Sequence, residues 1–371
     1  MADCDHRVPR PESAADRLAR MAERAEALRI PWRGLIETTF RCPLRCVHCY
    51  ACEDGRPIAR YAGREEMPLD DWKRVLDETA AAGCLELIVT GGEPLVRPDW
   101  AALLAHAVAA RFAVTLFTGG TLIDAAAADA IAGLGLAAVE LTMHAADRGV
   151  YESITRVPGS YDRFLRGVDL LRARGVPLAI KCVLMRANAG AAAGVADFAR
   201  AAGARFRFGI ELSPRNDGDP APTDLRMTAA QLEEWFRGDV PAPWTGLTPE
   251  PFEAMRSRQI CAAGTTTFAI NPYGDVFPCN QLLIPVGNVR ERSFRSIWHD
   301  APSPFLERIR RVRTFADLPA CAGCELAYAC RRCHGVAQLE TGDWLGKSPL
   351  ACEMAAVMDR LARGRGLTAG G

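Results

Sequence analysis

The chain has 371 residues, of which 49% are hydrophobic and 24% are charged, and its 45 basic and 45 acidic residues cancel. This composition is typical of a globular protein with a large core and room for two domains. Because no global field favours nucleic acid or an anionic membrane, the balance excludes partners that bind through bulk charge.

The first 31 residues predict a polar tail followed by an amphipathic helix over 14–28, where Arg and Glu recur at helical spacing. No apolar segment follows the N-terminal charges as it would in a secretory signal. The longest apolar stretch, 101–117, is interrupted by His106 and Arg111 and falls short of the roughly 20 residues that span a bilayer. We therefore expect a cytoplasmic protein without a membrane partner.

From residue 34 onward, apolar runs rich in β-formers alternate with Ala/Leu-rich helical runs. The predicted strands are 34–39, 85–90, 113–118, 137–143, 178–185 and 205–212. The predicted helices between them are 69–82, 99–110, 124–132, 161–174 and 191–202. This alternation predicts an α/β fold in which right-handed crossovers curl a parallel sheet into a barrel.

Three cysteines follow the first predicted strand with C-x3-C-x2-C spacing, at Cys42, Cys46 and Cys49. Three thiolates on a cubane iron–sulfur cluster leave one iron open to chelate a small molecule, so the spacing indicates a cluster used for chemistry. A structural zinc site is the alternative, although zinc usually closes its shell with four ligands from C-x2-C pairs. Disulfides are disfavoured because the cytosol is reducing.

A second motif, Thr90-Gly-Gly-Glu-Pro94, ends the next predicted strand. By themselves Gly91 and Gly92 would be ordinary turn glycines. Both motifs, together with Thr118 and Thr142, follow or close predicted strands, and α/β folds bind ligands at that end of the sheet.

The cysteine triplet followed by this turn resembles the radical S-adenosylmethionine (SAM) superfamily. The resemblance implies a partial (β/α)6 barrel and a [4Fe-4S] cluster on the three cysteines, whose free iron binds the amine and carboxylate of SAM. It also implies a set of residues that contact SAM, with Glu93 accepting from the SAM amine: Gly91, Gly92, Glu93, Pro94, Thr118 and Thr142. His48 stands at the aromatic place of the loop, where packing on the adenine and plain surface exposure both remain open.

Two Pro-rich stretches divide the chain after the sixth predicted strand. We expect an N-terminal tail and helix over 1–31, a barrel over 32–240, a linker over 241–254 and a cysteine-rich domain over 255–371. The last part contains seven cysteines: Cys261, Cys279, Cys321, Cys324, Cys330, Cys333 and Cys352.

The order of these seven cysteines is similar to that of the SPASM domain, which carries two auxiliary iron–sulfur clusters in radical SAM maturases. Carried over, the resemblance assigns one cluster to Cys321, Cys324, Cys330 and Cys352. The other cluster is then left with three ligands, Cys261, Cys279 and Cys333. A zinc ribbon on the two C-x2-C pairs at 321–333 is the alternative.

The resemblance implies an enzyme that cleaves SAM reductively to a 5′-deoxyadenosyl radical, which abstracts hydrogen from a substrate C–H bond. The leading hypothesis is modification of a ribosomally made peptide by a cross-link, thioether or epimerisation. The alternative is oxidation or decarboxylation of a small metabolite in haem or cofactor synthesis. An iron–sulfur electron carrier is disfavoured because it needs neither an open iron nor the Gly-Gly-Glu-Pro turn.

Two further expectations concern partners and bases. We expect a peptide partner, a separate recognition protein, and a low-potential electron donor such as flavodoxin or ferredoxin. Anaerobic sulfatase maturases have a general-base aspartate where this chain has Asn280, and an amide cannot take a proton. Formylglycine formation is therefore disfavoured, unless Glu211 or Asp217 substitutes.

Overall fold

An open sheet of parallel strands forms the first part of the protein. The computed structural model describes residues 13–238 and 249–364. Its strands in chain order are β1 (Arg33–Glu37), β2 (Cys52–Glu53), β3 (Arg56–Pro57), β4 (Glu86–Thr90), β5 (Ala113–Thr118), β6 (Ala138–Thr142), β7 (Leu178–Val183), β8 (Arg205–Gly209), β9 (Thr267–Ile270), β10 (Asp275–Phe277) and β11 (Gly287–Asn288). Six strands pair in parallel in the order β1-β4-β5-β6-β7-β8, which confirms the partial (β/α)6 barrel.

Helices alternate with the parallel strands of the barrel, and further helices follow in the cysteine-rich region. They are α1 (Ala14–Ala27), α2 (Leu69–Ala81), α3 (Trp100–Ala109), α4 (Ala125–Leu134), α5 (Arg148–Thr155), α6 (Ser160–Ala173), α7 (Ala192–Ala201), α8 (Ala229–Arg237), α9 (Phe252–Met255), α10 (Pro304–Ile309), α11 (His334–Thr341) and α12 (Pro349–Gly364). Trp72 and Leu76 of α2 are fully buried in the main core. Burying side chains of this size contributes about 1.5–3 kcal/mol each.

Strands β7 and β8 end two and three residues sooner than predicted, because side chains take over the backbone amides that follow. Strand β7 stops at Val183, and the Met185 amide donates to Oδ1 of Asn188 at 2.7 Å. Strand β8 stops at Gly209, and the Ile210 amide donates to Oε2 of Glu211 at 3.2 Å. The residues beyond each strand therefore form loops at the mouth of the barrel.

The cysteine-rich region is joined to the barrel through the sheet itself. Strand β9 pairs in parallel with β1, and β10 and β11 extend the sheet in antiparallel fashion to nine strands. Gly34 makes this junction close, because a Cβ there would lie 2.5 Å from the Phe268 ring. Of the predicted linker, residues 241–248 lie outside the described part of the chain. Because β9 lies beyond residue 255 and pairs with β1, the sheet of the barrel continues past this predicted boundary.

Trp298 anchors the cysteine-rich region beside this junction. Its ring is 0% exposed and packs against Phe268 and Phe294, and its Nε1 donates to the Arg29 carbonyl at 2.7 Å. A buried indole with a satisfied N–H is favourable in such a core. Within residues 13–238 and 249–364, we find no helix with the length and apolarity needed to span a bilayer.

Candidate functional site

The cysteine loop leaves β1 and is clamped from two sides. The Cys42 amide donates to the Gly55 carbonyl at 3.1 Å, in the turn of the β2–β3 hairpin. On the other side, the Arg45 and Val47 amides donate to the carbonyls of Thr155 and Ile154, both at 3.0 Å. Neither the hairpin nor α5, which contains Ile154, is among the elements predicted from sequence. Both are too short to give a clear periodic pattern.

The three thiols of this loop lie in a low-dielectric environment. Burial raises the pKa of Cys42 to about 12 and that of Cys46 well above its ordinary value. Hydrogen bonding by Cys52, whose backbone amide donates to Cys49 Sγ at 3.3 Å, lowers the pKa of Cys49 to about 7. Without a cation, Cys42 and Cys46 therefore stay neutral, whereas iron would stabilise all three as thiolates.

A multi-iron cluster fits this donor set better than one zinc ion. In the described ranges, no three His, Cys, Asp or Glu side chains converge as a compact shell around a single ion. Structural zinc requires four such ligands at about 2.0–2.3 Å from the metal. The three thiols instead border one shared cavity, as expected for ligands spread around a cubane.

The Gly-Gly-Glu-Pro turn is locked against the start of the cysteine loop. The Gly92 amide donates to the Thr39 carbonyl at 2.7 Å and the Glu93 amide to the Arg41 carbonyl at 2.9 Å. Gly91 has φ +139°, and a Cβ there would lie 2.2 Å from the Thr39 oxygen. A Cβ on Gly92 would lie 2.5 Å from the Arg41 oxygen. Only glycine permits this approach of two backbones.

Glu93 is held by hydrogen bonds within the protein and also borders the cavity of the three cysteines. The carboxylate is 1% exposed and accepts from Thr118 Oγ1 at 2.8 and 2.9 Å, from the Gly119 amide at 2.8 Å and from the Leu95 amide at 3.2 Å. Three donors leave part of the acceptor capacity of a carboxylate unused, and the contact with the SAM amine stays a prediction. Glu93 and Thr118 therefore brace the ends of β4 and β5 against each other.

The remaining predicted SAM contacts divide into two groups. Gly91, Gly92 and Thr142 line a cavity of about 280 Å³ that also contains the three cysteines. Pro94 does not line this cavity, and it is buried against Trp100 and Leu103. Glu93 and Thr118 border the same cavity, so Pro94 is the one predicted contact that does not line it.

Two histidines form one wall of this cavity. His48 and His144 pack edge to face with ring centroids 5.1 Å apart, and His144 Nε2 lies 3.9 Å from Cys46 Sγ. Burial, helped by the charge of Lys181, lowers the pKa of His48 to about 4, and burial also lowers that of His144. Both rings are neutral near pH 7. His48 therefore belongs to the cavity wall and is not a surface residue.

Lys181 and Phe117 line the cavity and belong to a charge cluster around the buried Glu140 that was not predicted from sequence. Lys181 Nζ lies 3.4 Å from Glu140 Oε1 and 4.2 Å from the centroid of the Phe117 ring. Arg207 donates to both oxygens of Glu140, at 2.9 and 2.5 Å. A lysine inside the apolar run of β7 was the available signal, because buried lysines need partners.

The auxiliary cysteines gather in two groups. Burial raises the pKa of Cys330 to about 12, with further contributions from its three neighbours Cys352, Cys321 and Cys324. Burial likewise raises the pKa of Cys279 to about 12, with contributions from Cys333 and Cys261. Each group thus contains the same cysteines that the resemblance to the SPASM domain assigns to one cluster.

A second cavity of about 700 Å³ connects the barrel mouth with these groups. It is bordered by Cys330 and Cys333, and it shares Glu211, Ser213 and Gln281 with the smaller cavity. Asn280 lines this second cavity as well. A carboxylate, Glu211, therefore stands where the two cavities meet.

The remaining cysteines have structural surroundings. Cys84 and Cys182 are buried in the main core. Cys52 is buried beside the cysteine loop, where its thiol donates to the Phe40 carbonyl at 2.8 Å. Cys4 lies outside the described residues. None of these contacts indicates that Cys52, Cys84 or Cys182 binds a metal.

The mouth loop after β8 is tied to the cysteine loop. Arg215 pairs with Glu53 at 2.6 Å, and the Asn216 amide donates to the Tyr50 carbonyl at 2.9 Å. Asp217 is exposed and accepts from the Asp219 amide at 3.2 Å. Arg215 is thus already used as a brace between two loops.

Comparison with known proteins gives two family matches. Residues 36–198 match the Radical SAM superfamily, and residues 261–325 match SPASM, described as an iron-sulfur cluster-binding domain. The PqqA peptide cyclase of Xanthomonas axonopodis pv. citri is 31% identical over 345 residues, 88% of this chain and 89% of the relative. The AdoMet-dependent heme synthase of Methanosarcina barkeri is 27% identical over 338 residues, 84% of this chain and 94% of the relative. AdoMet is another abbreviation for SAM.

Solved structures share the fold at low sequence identity. Streptococcus suis SuiB bound to its precursor peptide SuiA superposes with a TM-score of 0.67 at 20% identity, covering 91% of this chain and 79% of SuiB. Native anSMEcpe with bound AdoMet superposes with a TM-score of 0.66 at 15% identity, covering 90% of this chain and 98% of that chain. Both likenesses extend through the barrel and the cysteine-rich region.

Proposed function

The chain belongs to the radical SAM superfamily and carries a SPASM iron–sulfur domain, and we propose that it modifies a carbon atom of a ribosomally made peptide. It is an enzyme whose cofactors are SAM, a [4Fe-4S] cluster and auxiliary iron–sulfur clusters. The cluster would supply the one low-potential electron that breaks the bond between sulfur and the 5′ carbon of SAM, which would give methionine and a 5′-deoxyadenosyl radical able to take a hydrogen atom from a substrate C–H bond.

We assign Cys42, Cys46 and Cys49 to the cluster that binds SAM. Burial disfavours the charged forms of Cys42 and Cys46, so cluster binding would compensate them. Gly91, Gly92, Glu93, Thr118 and Thr142 are assigned to SAM because they line the same cavity. The two auxiliary clusters are assigned to the cysteine groups described above.

The observation that carries the peptide assignment is the junction of the two cavities. SAM would fill the cavity beside the cysteine loop, which at about 280 Å³ is close to the size of a small-molecule site, so the substrate needs further space. The adjoining cavity of about 700 Å³ runs on to Cys330 and Cys333 and offers space for an extended chain. Similarity to a peptide cyclase and to the fold of SuiB supports the same assignment.

The chain's own residues position and shield the reacting groups. The brace of Glu93 on Thr118 and the clamp on the cysteine loop fix the geometry of the cavity. The neutral rings of His48 and His144 exclude water from the wall beside Cys46. Glu211 is the carboxylate that we assign to a polar group or a departing proton of the peptide.

The test is co-expression with a short peptide encoded beside this protein, followed by mass spectrometry of the peptide. We expect a mass change that depends on SAM, on a low-potential donor such as flavodoxin or ferredoxin, and on Cys42, Cys46 and Cys49. A separate recognition protein is part of the proposal, so each reaction is run with and without small proteins encoded nearby. An unmodified peptide under all these conditions would overturn the peptide assignment.

A second candidate is oxidation or decarboxylation of a small metabolite in haem or cofactor synthesis. It is supported by the similarity to an AdoMet-dependent heme synthase over 84% of this chain. The reconstituted enzyme would be supplied with porphyrin precursors, and 5′-deoxyadenosine would be measured. Formation that depends on a porphyrin and not on any peptide would favour this candidate.

A further inference from the structure

Arg332 is a buried cation placed between two cysteines. It lies between Cys330 and Cys333 in the sequence and is 4% exposed. Its guanidinium donates to the carbonyls of Cys333, Trp344 and Gly346, with 2.8 Å to the Trp344 oxygen. These three acceptors are neutral, so they fix the guanidinium without cancelling its charge.

The charge of Arg332 has no protein counter-ion in the described ranges. No carboxylate in residues 13–238 or 249–364 forms an ion pair with Arg332. Its Nε is also buried and has no hydrogen-bond acceptor among these residues. A buried cation with an unused donor is costly unless nearby negative charge offsets it. The surroundings of Arg332 must therefore supply such a charge.

The nearest sources are the two auxiliary cysteine groups. Arg332 directly precedes Cys333, a member of one group, and follows Cys330, a member of the other group, by two residues. Arg332 also lines the 700 Å³ cavity together with Cys330 and Cys333. One guanidinium thus lies within electrostatic reach of both groups.

We infer that Arg332 is the shared counter-charge and hydrogen-bond donor of the two auxiliary iron–sulfur centres, and that it raises the reduction potential of both. The inference rests on the ligand assignment proposed above. Reduction adds a negative charge to a centre, and a fixed cation nearby favours that state. Hydrogen bonds to cluster sulfur act in the same direction. The alternative is that Arg332 only ties three backbone carbonyls together and has no effect on the reduction potentials.

The test uses the full-length chain in which Cys42, Cys46 and Cys49 are replaced by Ala, so that only the auxiliary centres bind iron. Arg332→Met, Arg332→Lys and the exposed neighbour Arg331→Met are compared after anaerobic reconstitution. Iron and sulfide are counted, and a redox titration followed by electron paramagnetic resonance gives the midpoint potentials. For Arg332→Met we expect full iron and a reduction equilibrium constant at least about tenfold lower, which is about 59 mV for one electron.

The controls separate charge from shape. Arg332→Lys keeps the charge, so its reduction equilibrium constants should stay within about threefold of those of the parent. Those of Arg331→Met should stay within about twofold, since exposed charges are screened. Unchanged potentials in Arg332→Met with full iron would overturn the inference. If Arg332→Met loses iron, Arg332→Lys decides: equal loss shows that Arg332 only ties the carbonyls together and overturns the inference. A parent protein without auxiliary iron would instead show that the ligand assignment fails.

Discussion

Replacing Glu93 distinguishes a structural brace from a direct SAM contact. In Glu93→Ala, the Thr118 hydroxyl and the amides of Gly119 and Leu95 all lose their acceptor. A buried donor left without a partner costs about 1–3 kcal/mol, and we expect a total loss of about 3–5 kcal/mol in the free energy of unfolding. Glu93→Gln should cost about 1–3 kcal/mol, because its amide group would face the Gly119 N–H.

The assay is urea unfolding of the metal-free protein at 25 °C, so that no cofactor contributes. Thr118→Val removes only one of the three donors and should cost about 1 kcal/mol. The matched control is Glu86→Gln at the other end of β4, where the side chain is 47% exposed and pairs with Arg33. Exposed pairs of this kind contribute about 0–1 kcal/mol.

The two interpretations of Glu93 predict opposite results. A brace lowers the stability of the metal-free protein, and weaker SAM binding would follow only as a consequence. A carboxylate that acted only through the SAM amine would leave the metal-free stability unchanged and would weaken SAM binding alone. Wild-type unfolding of Glu93→Gln together with weak SAM binding would therefore refute the brace.

Three further predictions follow from the described contacts. Gly92→Ala places a Cβ 2.5 Å from a backbone oxygen and should sharply lower the iron bound per chain, whereas Gly133→Ala has no neighbour within 4 Å and should not. Glu211→Gln should slow peptide modification at least about tenfold, measured by mass spectrometry, while Asp217→Asn should leave the rate unchanged. Burial opposes but does not overcome the hydrogen bonds that lower the pKa of Asp275. Its folded pKa is therefore below its unfolded value, so Asp275 stabilises the protein at neutral pH and this contribution is lost below about pH 4. Urea unfolding of Asp275→Asn should show a weaker acid dependence than wild type, and equal slopes would contradict this.

Several features of the protein were determined by sequence because they are local. Strand β5 begins and ends at the predicted residues 113 and 118, since an apolar run between turn signals fixes a buried strand. The cysteine loop and the Gly-Gly-Glu-Pro turn were predicted at the mouth of the barrel, because parallel strands place their carboxyl ends together. The two auxiliary groups also followed from the order of cysteines, through the resemblance to SPASM domains. The ligand role of each cysteine stays a prediction.

Tertiary structure alone decided how these parts meet. The pairing of β9 with β1 joins residues more than two hundred positions apart, and no local pattern encodes such a register. The sequence shows that Glu93 is present in the turn, but only the fold brings Thr118 and Gly119 to its carboxylate. The same holds for Lys181 beside Glu140 and for Arg332 without a described counter-ion. Which charges are compensated depends on burial and on distant neighbours, and these exist only once the chain has folded.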